Sequence, residues 1–166
     1  MELEQRVADL ERRLAALENA QHTAPRLGES DLWALQGLKE QLAELGAADG
    51  GVLFTGAVRL PTGEQYEWQH GVLTEGLLDG DWAQDAESLA ALGHPVRLRL
   101  LREILGGRRT AAELAELDEV GTTGQIYHHL RQLSAAGWLH TTTRGRYEVP
   151  AGRVVPLLVA LATARH

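Results

Sequence analysis

The chain has 166 residues, of which 44% are hydrophobic and 23% charged, and its formal net charge is −7. This length suits one compact domain with an appendage, or two small domains. Cysteine is absent, which excludes a disulfide framework, a thiolate zinc site and a cysteine nucleophile. No apolar run reaches the ~20 residues that span a bilayer, and the first twenty residues are too charged for a secretory signal. We therefore expect a cytoplasmic protein with no membrane partner.

The charge is divided unevenly along the chain. Residues 1–90 carry 6 Lys and Arg against 17 Asp and Glu, a net −11, whereas residues 91–166 carry 10 against 6, a net +4. The two halves therefore meet different electrostatic demands. Only the second half has the charge that suits nucleic acid.

The N-terminal segment has an apolar seam at alternating steps of four and three, formed by Leu3, Val7, Leu10, Leu14 and Leu17. This spacing predicts a coiled-coil-like helix over residues 1–20. Because so short a helix is unstable alone in water, we expect it to pair with a copy of itself or to lie on the body of the protein. The alternative is a solvated, partly frayed leader. Pro25 and Gly28 predict a linker over residues 21–29.

Residues 30–80 are predicted to form a helix and a β-hairpin that serve dimerisation or sensing. Ser30 or Asp31 can cap the helix and Gly46 can end it. Its apolar stripe consists of Leu32, Leu35, Leu38, Leu42 and Leu45. Strands predicted at 52–60 and 65–72 flank a turn, and two strands alone are marginal, so the hairpin must pack on another element.

One face of the second predicted strand is aromatic. Tyr66, Trp68 and His70 alternate there with polar residues, as expected for side chains that share one face of a strand. This face can belong to the core, or Trp68 and His70 can line a ligand pocket.

The chain becomes helical again from Asp81, which stands at capping-box spacing from Gln84. A break follows, where Pro95 suits the first position of the next helix and His94 its cap. The core residues expected from these two helices are Leu89, Leu92, Val96, Leu98, Leu101, Ile104 and Leu105.

Two capping boxes follow, at Thr110 with Glu113 and at Thr122 with Gln125. Each predicts the start of a helix, and Gly121 suits the tight connection between them. The second helix extends through Ala136, where Gly137 is its C-terminal signal. Two short helices joined in this way have the layout of a helix-turn-helix.

The second of these helices is amphipathic. At 100° per residue, Ile126, Leu130 and Leu133 share one face and must point into the core. The opposite face is polar, aromatic and basic, has no carboxylate, and contains Gly124, Tyr127, His128 and Arg131. His129 flanks the core. Because neighbouring residues on a helix point apart, His128 and His129 cannot easily share a metal ion.

A short hairpin is predicted next, with strands at Trp138–Thr142 and Tyr147–Val149. Its tip carries Arg144 and Arg146, which suit contact with phosphate or with the minor groove. The alternative for this tip is a solvated turn.

Residues 91–149 resemble the winged helix-turn-helix of the ArsR/SmtB-type bacterial transcriptional regulators, here with an extra N-terminal region. The stretches that carry the resemblance are Ala91–Leu101, Thr122–Leu133, Ala136–Leu139 and the Arg-Gly-Arg tip. The resemblance implies base or groove contacts by Thr122, Thr123, Gln125, Tyr127 and His128. It implies contacts nearer phosphate by Arg131, Arg144 and Arg146. Tyr127 departs from the small hydroxyl residue common in the family.

The resemblance also implies a symmetric dimer, with the apolar C-terminal segment Val154–Ala162 in its interface. This segment lacks the His and acidic ligands that metal-sensing members carry there. With cysteine also absent, we predict no metal site and no cofactor. A winged helix-turn-helix domain with a C-terminal helix is expected over residues 81–166.

We therefore predict an α+β fold that is mainly α with small β-hairpins. The predicted function is a sequence-specific regulator of transcription, a repressor, that binds double-stranded DNA at a near-palindromic operator. It would act as a homodimer whose two copies pair through their N-terminal and C-terminal helices. A small-molecule or protein effector would act on the N-terminal half. The alternative is an interaction or ligand-binding module that uses the winged helix as a scaffold, with DNA binding weak or autoinhibited. No catalytic motif is present, so we do not expect an enzyme.

Overall fold

The computed structural model describes the backbone of residues 2–21 and 32–165, and the side chains of residues 5–14 and 32–165. Its elements are helices and short antiparallel hairpins, which confirms the predicted fold class. They are α1 (Glu2–Gln21), α2 (Trp33–Leu45), β1 (Gly51–Arg59), β2 (Gln65–Leu73), α3 (Thr74–Leu78), α4 (Trp82–Leu92), α5 (Pro95–Leu105), α6 (Ala111–Ala115), α7 (Thr123–Ala135), β3 (His140–Thr141), β4 (Tyr147–Glu148) and α8 (Ala151–Thr163).

The chain divides into two compact units, Met1–Gln41 and Leu42–His166, with the boundary inside α2. In the first unit, the seam of α1 is exposed at Val7, Leu10 and Leu14. The predicted caps Ser30 and Asp31, and the predicted linker from residue 22 onwards, lie outside the described residues. Within the described ranges, no helix has both the length and the apolar character needed to cross a membrane.

The second unit begins with the end of α2 and a long hairpin. Strands β1 and β2 pair antiparallel in continuous register from Gly51 opposite Leu73 to Arg59 opposite Gln65. The Leu60 N–H donates to the Glu64 carbonyl (2.8 Å), and the Gly63 N–H donates to the Leu60 carbonyl (2.9 Å). The predicted strands and their turn are therefore confirmed to within a residue or two.

The long hairpin packs on α8, because small residues let the two elements approach closely. A Cβ at Gly56 would lie 2.6 Å from Cγ1 of Val155, so only glycine fits there without a shift. On the neighbouring strand, the Trp68 ring lies against Gly152 of α8. This contact supplies the packing partner that a two-stranded sheet needs.

The core of the second unit lies among α5, α6, α7 and α8. It consists mainly of aliphatic side chains at helical spacing, and Leu60 joins it from the hairpin. The most deeply buried residues are Leu100, Leu101, Ile104, Leu114, Val120, Ile126, Leu130, Leu133, Val154, Val155 and Leu157. Leu89, predicted as a core residue, is 59% exposed. That prediction is wrong because α4 buries only Ala91 and Leu92 in its last turn.

Local capping follows the sequence closely. The Asp81 carboxylate accepts hydrogen bonds from the amides of Ala83 (3.1 Å) and Gln84 (3.4 Å) at the start of α4. At α5, Nδ1 of His94 accepts from the Val96 amide (3.2 Å), and Pro95 occupies the first turn. These contacts satisfy amides that have no partner within the helix. The predicted capping role of His94 is confirmed.

Candidate nucleic-acid interface

Capping boxes fix the N-terminal ends of both α6 and α7. At α6, Thr110 Oγ1 accepts from the Glu113 amide (3.2 Å), and the Glu113 carboxylate accepts from the Thr110 amide (2.9 Å). Gly121, just before α7, has φ +93°. A Cβ there would also collide with the Gln125 side chain. The connection therefore requires glycine for both its backbone conformation and its space.

The second box orients the start of α7. Thr122 Oγ1 accepts from the Gln125 amide (3.3 Å), while Gln125 Oε1 accepts from the Thr122 amide (2.8 Å). Both side chains are exposed although they serve the cap. The predicted capping box is confirmed, and it leaves the polar first turn of α7 at the surface.

Helix α7 has one buried and one exposed face. Ile126, Leu130 and Leu133 are buried in the core, as predicted. The exposed face contains Thr123, Gly124, Gln125, Tyr127, His128 and Arg131. Tyr127 is 42% exposed. No Asp or Glu occurs in α7, so this face would not repel a polyanion.

His129 lies between the two faces, as predicted. Its ring packs against that of His94, with 4.6 Å between the ring centroids. Burial is the main cause that lowers the pKa of His129, and electrostatic interactions with its neighbours His94, Arg97 and His128 lower it further. This histidine is therefore held neutral near physiological pH and links α7 to the cap of α5.

A short hairpin, which we call the wing (residues 140–148), follows α7. Its strands pair only at His140 with Glu148 and Thr141 with Tyr147. The Thr142 amide donates to the Arg146 carbonyl (2.8 Å), and Gly145 turns the chain at φ +68°. At the tip, Arg144 is exposed and Arg146 is half-buried.

The junction between α7 and the wing is held by Trp138. Its indole N–H donates to the Ser88 carbonyl of α4 (3.0 Å). The Arg153 guanidinium of α8 lies 4.7 Å from the Trp138 ring centroid, a cation–π distance. Trp138 therefore connects the segment that follows α7 to two other helices.

Arg109 holds the wing from outside, a role that no motif or spacing in the sequence indicates. Its carbonyl accepts from the Tyr147 amide (2.7 Å). Its guanidinium forms an ion pair with Glu148 of β4 (3.1 Å) and another with Glu64 in the turn of the β1–β2 hairpin. The Arg109 side chain is only 15% exposed. A single arginine thus joins the two hairpins.

The charges around Arg109 stabilise one another. A hydrogen bond from Thr62, followed by one from Arg109, lowers the pKa of Glu64. Burial is the largest single influence on Arg109 and opposes its charge, but the hydrogen bond to Glu64 together with the negative charges of Glu64 and Glu148 outweighs it, so the pKa of Arg109 is raised. Hydrogen bonds from Thr110 and the Arg109 amide lower the pKa of Glu113, with a smaller contribution from the charge of Arg146.

The predicted site residues therefore lie on two consecutive elements. Six belong to α7 and its cap, namely Thr122, Thr123, Gln125, Tyr127, His128 and Arg131, and two belong to the wing, namely Arg144 and Arg146.

The adjacent histidines of α7 point in different directions. The rings of His128 and His129 are inclined at 61° with centroids 5.8 Å apart. Across the described part of the chain, no three His, Asp or Glu residues are grouped closely enough to hold a metal ion.

This arrangement of α5, α6, α7 and β3 agrees with a comparison against protein families. Residues 92–141 match a family of helix-turn-helix domains. Domains of this family occur in ArsR-type regulators, so the match supports a helix-turn-helix regulator that binds DNA and acts in transcription. No curated protein and no solved structure matches the chain. We refer to residues 92–141 as the helix-turn-helix domain.

Proposed function

We propose that this chain is an ArsR/SmtB-like transcriptional repressor that binds a near-palindromic operator as a homodimer, with α7 in the major groove and the wing on the adjacent backbone. The observation that carries the proposal is the exposed face of α7. It presents polar, aromatic and basic side chains without a carboxylate, and it belongs to a helix-turn-helix domain. In such domains the second helix enters the major groove with its first turns against the base edges.

The base-contacting residues we propose are Thr122, Thr123, Gln125, Tyr127 and His128. Their support is their position in the cap and first turns of α7, where all five are exposed. Gln125 uses Oε1 in the capping box, and Nε2 makes no hydrogen bond within the described residues, so its two donors are available to a ligand.

The phosphate contacts we propose are Arg131, Arg144 and Arg146. A guanidinium binds phosphate oxygens through paired, charge-assisted hydrogen bonds. Arg131 and Arg144 are exposed. Arg146 is half-buried, and its charge makes a small contribution to the lowered pKa of Glu113.

A homodimer would form through α1 and α8. Exposed Val7, Leu10 and Leu14 on α1 support pairing of this helix with a copy of itself. Two α7 helices would then enter successive major grooves about 34 Å apart. Since no cysteine is available, the input to such a regulator would not be a metal held by thiolates.

The proposal is tested by selecting duplexes from a random DNA pool, followed by fluorescence anisotropy titrations of the selected duplex at several salt concentrations. We expect the selected sequences to be near-palindromic. The Arg144→Ala/Arg146→Ala variant should weaken binding to all duplexes and reduce the salt slope of the dimer by about 3.6, because each protomer loses two phosphate contacts and each contact contributes about 0.9 to that slope.

The matched control is Arg59→Ala/Arg165→Ala, which removes two exposed guanidiniums outside α7 and the wing. Its slope should stay near that of the wild type. An unchanged slope in the Arg144→Ala/Arg146→Ala variant would remove the wing from the interface. Failure of the wild type to retain any duplex at low salt would overturn DNA binding itself.

A further inference from the structure

The wing is too short to fix its own orientation. It has two residue pairs, whereas an isolated two-stranded hairpin is marginal in water even when its strands are longer. A guanidinium at its tip can bind phosphate with a defined geometry only if the strands below it are held in place. Contacts from outside the wing must therefore supply that support.

The polar support comes from Arg109. Its carbonyl accepts from the Tyr147 amide (2.7 Å), which holds β4 along its backbone. Its guanidinium then holds the same strand by a side chain, through Nη1 to Oε1 of Glu148 (3.1 Å). Two contacts at neighbouring positions of β4 fix both the position and the direction of the strand.

The other side of the guanidinium is fixed to the β1–β2 hairpin. Nη2 of Arg109 donates to the Glu64 carboxylate, and Thr62 Oγ1 donates to the same carboxylate (2.7 Å). The Glu64 carbonyl in turn accepts from the amide of Leu60, whose side chain is buried in the core. A continuous series of contacts therefore joins the core to the wing.

Arg109 is not itself free to bind DNA. Both of its terminal nitrogens are hydrogen-bonded to carboxylates, and the side chain is largely buried. Lysine could not replace it fully, since a single ammonium lacks the planar fork that reaches two carboxylates in fixed directions.

We propose that Arg109 is a positioning residue of the DNA-binding surface: by joining Glu64 to Glu148, it holds the wing so that Arg144 and Arg146 meet the phosphate backbone. This inference rests on the proposed function. It also assigns the β1–β2 hairpin, which lies outside residues 92–141, a part in DNA binding as the fixed support of the wing.

The test uses the full chain and two readouts. The first is hydrogen exchange at the Tyr147 amide, which needs no DNA, and the second is affinity for the selected duplex. The variants are Arg109→Lys, which keeps the charge, and Glu64→Gln, which changes only the far partner. The control is Arg108→Lys, because the neighbouring Arg108 is half-exposed and pairs only with Glu103 (3.7 Å) among the described residues.

We expect both Arg109→Lys and Glu64→Gln to speed hydrogen exchange at the Tyr147 amide. Both should also lower the affinity for the selected duplex, and this loss should not exceed the loss in the Arg144→Ala/Arg146→Ala variant. When Arg109→Lys is added to that variant, affinity should fall no further, since Arg109 acts through the two tip arginines. Arg108→Lys should leave both readouts near the wild type.

Three results would overturn the inference. The first is an unchanged exchange rate at the Tyr147 amide in Arg109→Lys and Glu64→Gln. The second is an unchanged DNA affinity in these two variants although the wild type binds DNA. The third is a further loss of affinity when Arg109→Lys is added to the Arg144→Ala/Arg146→Ala variant. A wild type that binds no duplex would reject the proposed function and, with it, the part of Arg109 in DNA binding. The exchange readout would then still decide whether Arg109 holds the wing.

Discussion

The two hairpins of this chain reach a defined structure by different routes. The β1–β2 hairpin has nine residue pairs and a broad contact with α8. The wing has two residue pairs and depends on Arg109 for much of its polar support. The turn of the first contributes the buried Leu60 to the core, whereas the wing has no buried residue and meets the core through the half-buried Tyr147 and a few polar contacts.

This difference agrees with the proposed roles of the two hairpins, the wing as a surface that contacts DNA and the β1–β2 hairpin as its support. A surface that meets DNA must remain polar and exposed, so it cannot be stabilised by burying apolar side chains at its tip. Its order must come from contacts at its base. The β1–β2 hairpin supplies one such contact and is itself ordered by packing, which is the larger source of stability.

The largest expected effect tests whether the β1–β2 hairpin depends on α8. Gly56→Ala places a Cβ 2.6 Å from Cγ1 of Val155, so Val155 or the strand must move. We expect a loss of about 1–3 kcal/mol in the free energy of unfolding, measured by urea denaturation.

The matched control for this prediction is Gly71→Ala on the partner strand. A Cβ there meets Leu53 at an ordinary contact distance of 3.4 Å. We expect little change in stability from it. Equal losses from the two substitutions would show that close packing on α8 is not what holds the β1–β2 hairpin.

A smaller effect on stability is expected from alanine substitutions that compare the turn of the β1–β2 hairpin with the turn of the wing. Gly63 and Gly145 both have positive φ, +90° and +68°, and neither has an atom within 4 Å of an added Cβ. Alanine should therefore cost about 1 kcal/mol of backbone strain at each position. In Gly63→Ala, the free energy of global unfolding should fall by that amount.

In Gly145→Ala we expect the same cost to appear locally. The wing can open while the core stays folded, so exchange at the Thr142 amide should rise about fivefold, the equivalent of about 1 kcal/mol. The urea midpoint should stay near that of the wild type. An equal fall in global stability for both variants would show that the wing unfolds only together with the core.

The smallest expected effect concerns acid pH. The pKa of Glu64 is lowered in the folded protein from a usual value of 4.5. Its contribution to stability is therefore fully present above about pH 4.5 and is lost as the pH falls through the lower folded value. We expect the Tyr147 amide to lose protection in that range while amides of β1 and β2 remain protected.

Glu64→Gln is the control for the pH prediction, since it removes the titrating group. In this variant, protection of Tyr147 should be lower at neutral pH and should respond less to acid. The same pH response in the wild type and in Glu64→Gln would assign the effect to another carboxylate, such as Glu113, whose pKa is also lowered.

Features that depend on a few adjacent residues could be predicted from the sequence. The two capping boxes, the His94 cap, the buried face of α7 and the two strands of the β1–β2 hairpin all depend on residue patterns within one element or one turn. The spacing of polar and apolar residues determines such contacts locally. For the same reason, the sequence alone predicts the exposed polar face of α7.

Features that join distant parts of the chain could not be predicted in this way. Arg109 and Glu64 are separated by 45 residues, and nothing in their spacing indicates that they meet. Leu89 was misplaced because its burial depends on which helices approach α4, not on the period of α4 itself. The close approach of Gly56 to Val155 likewise depends on how β1 crosses α8.

The capping box of α7 has a consequence for base preference. Because Oε1 of Gln125 already accepts from the Thr122 amide, one of its two lone pairs is used, and the bidentate pairing of glutamine with adenine would have to share this oxygen. While the cap stays intact, the two donors of Nε2 are the part of this side chain that is fully available to a base. Gln125 would therefore favour the acceptor atoms of the major-groove edge, such as O6 and N7 of guanine or O4 of thymine.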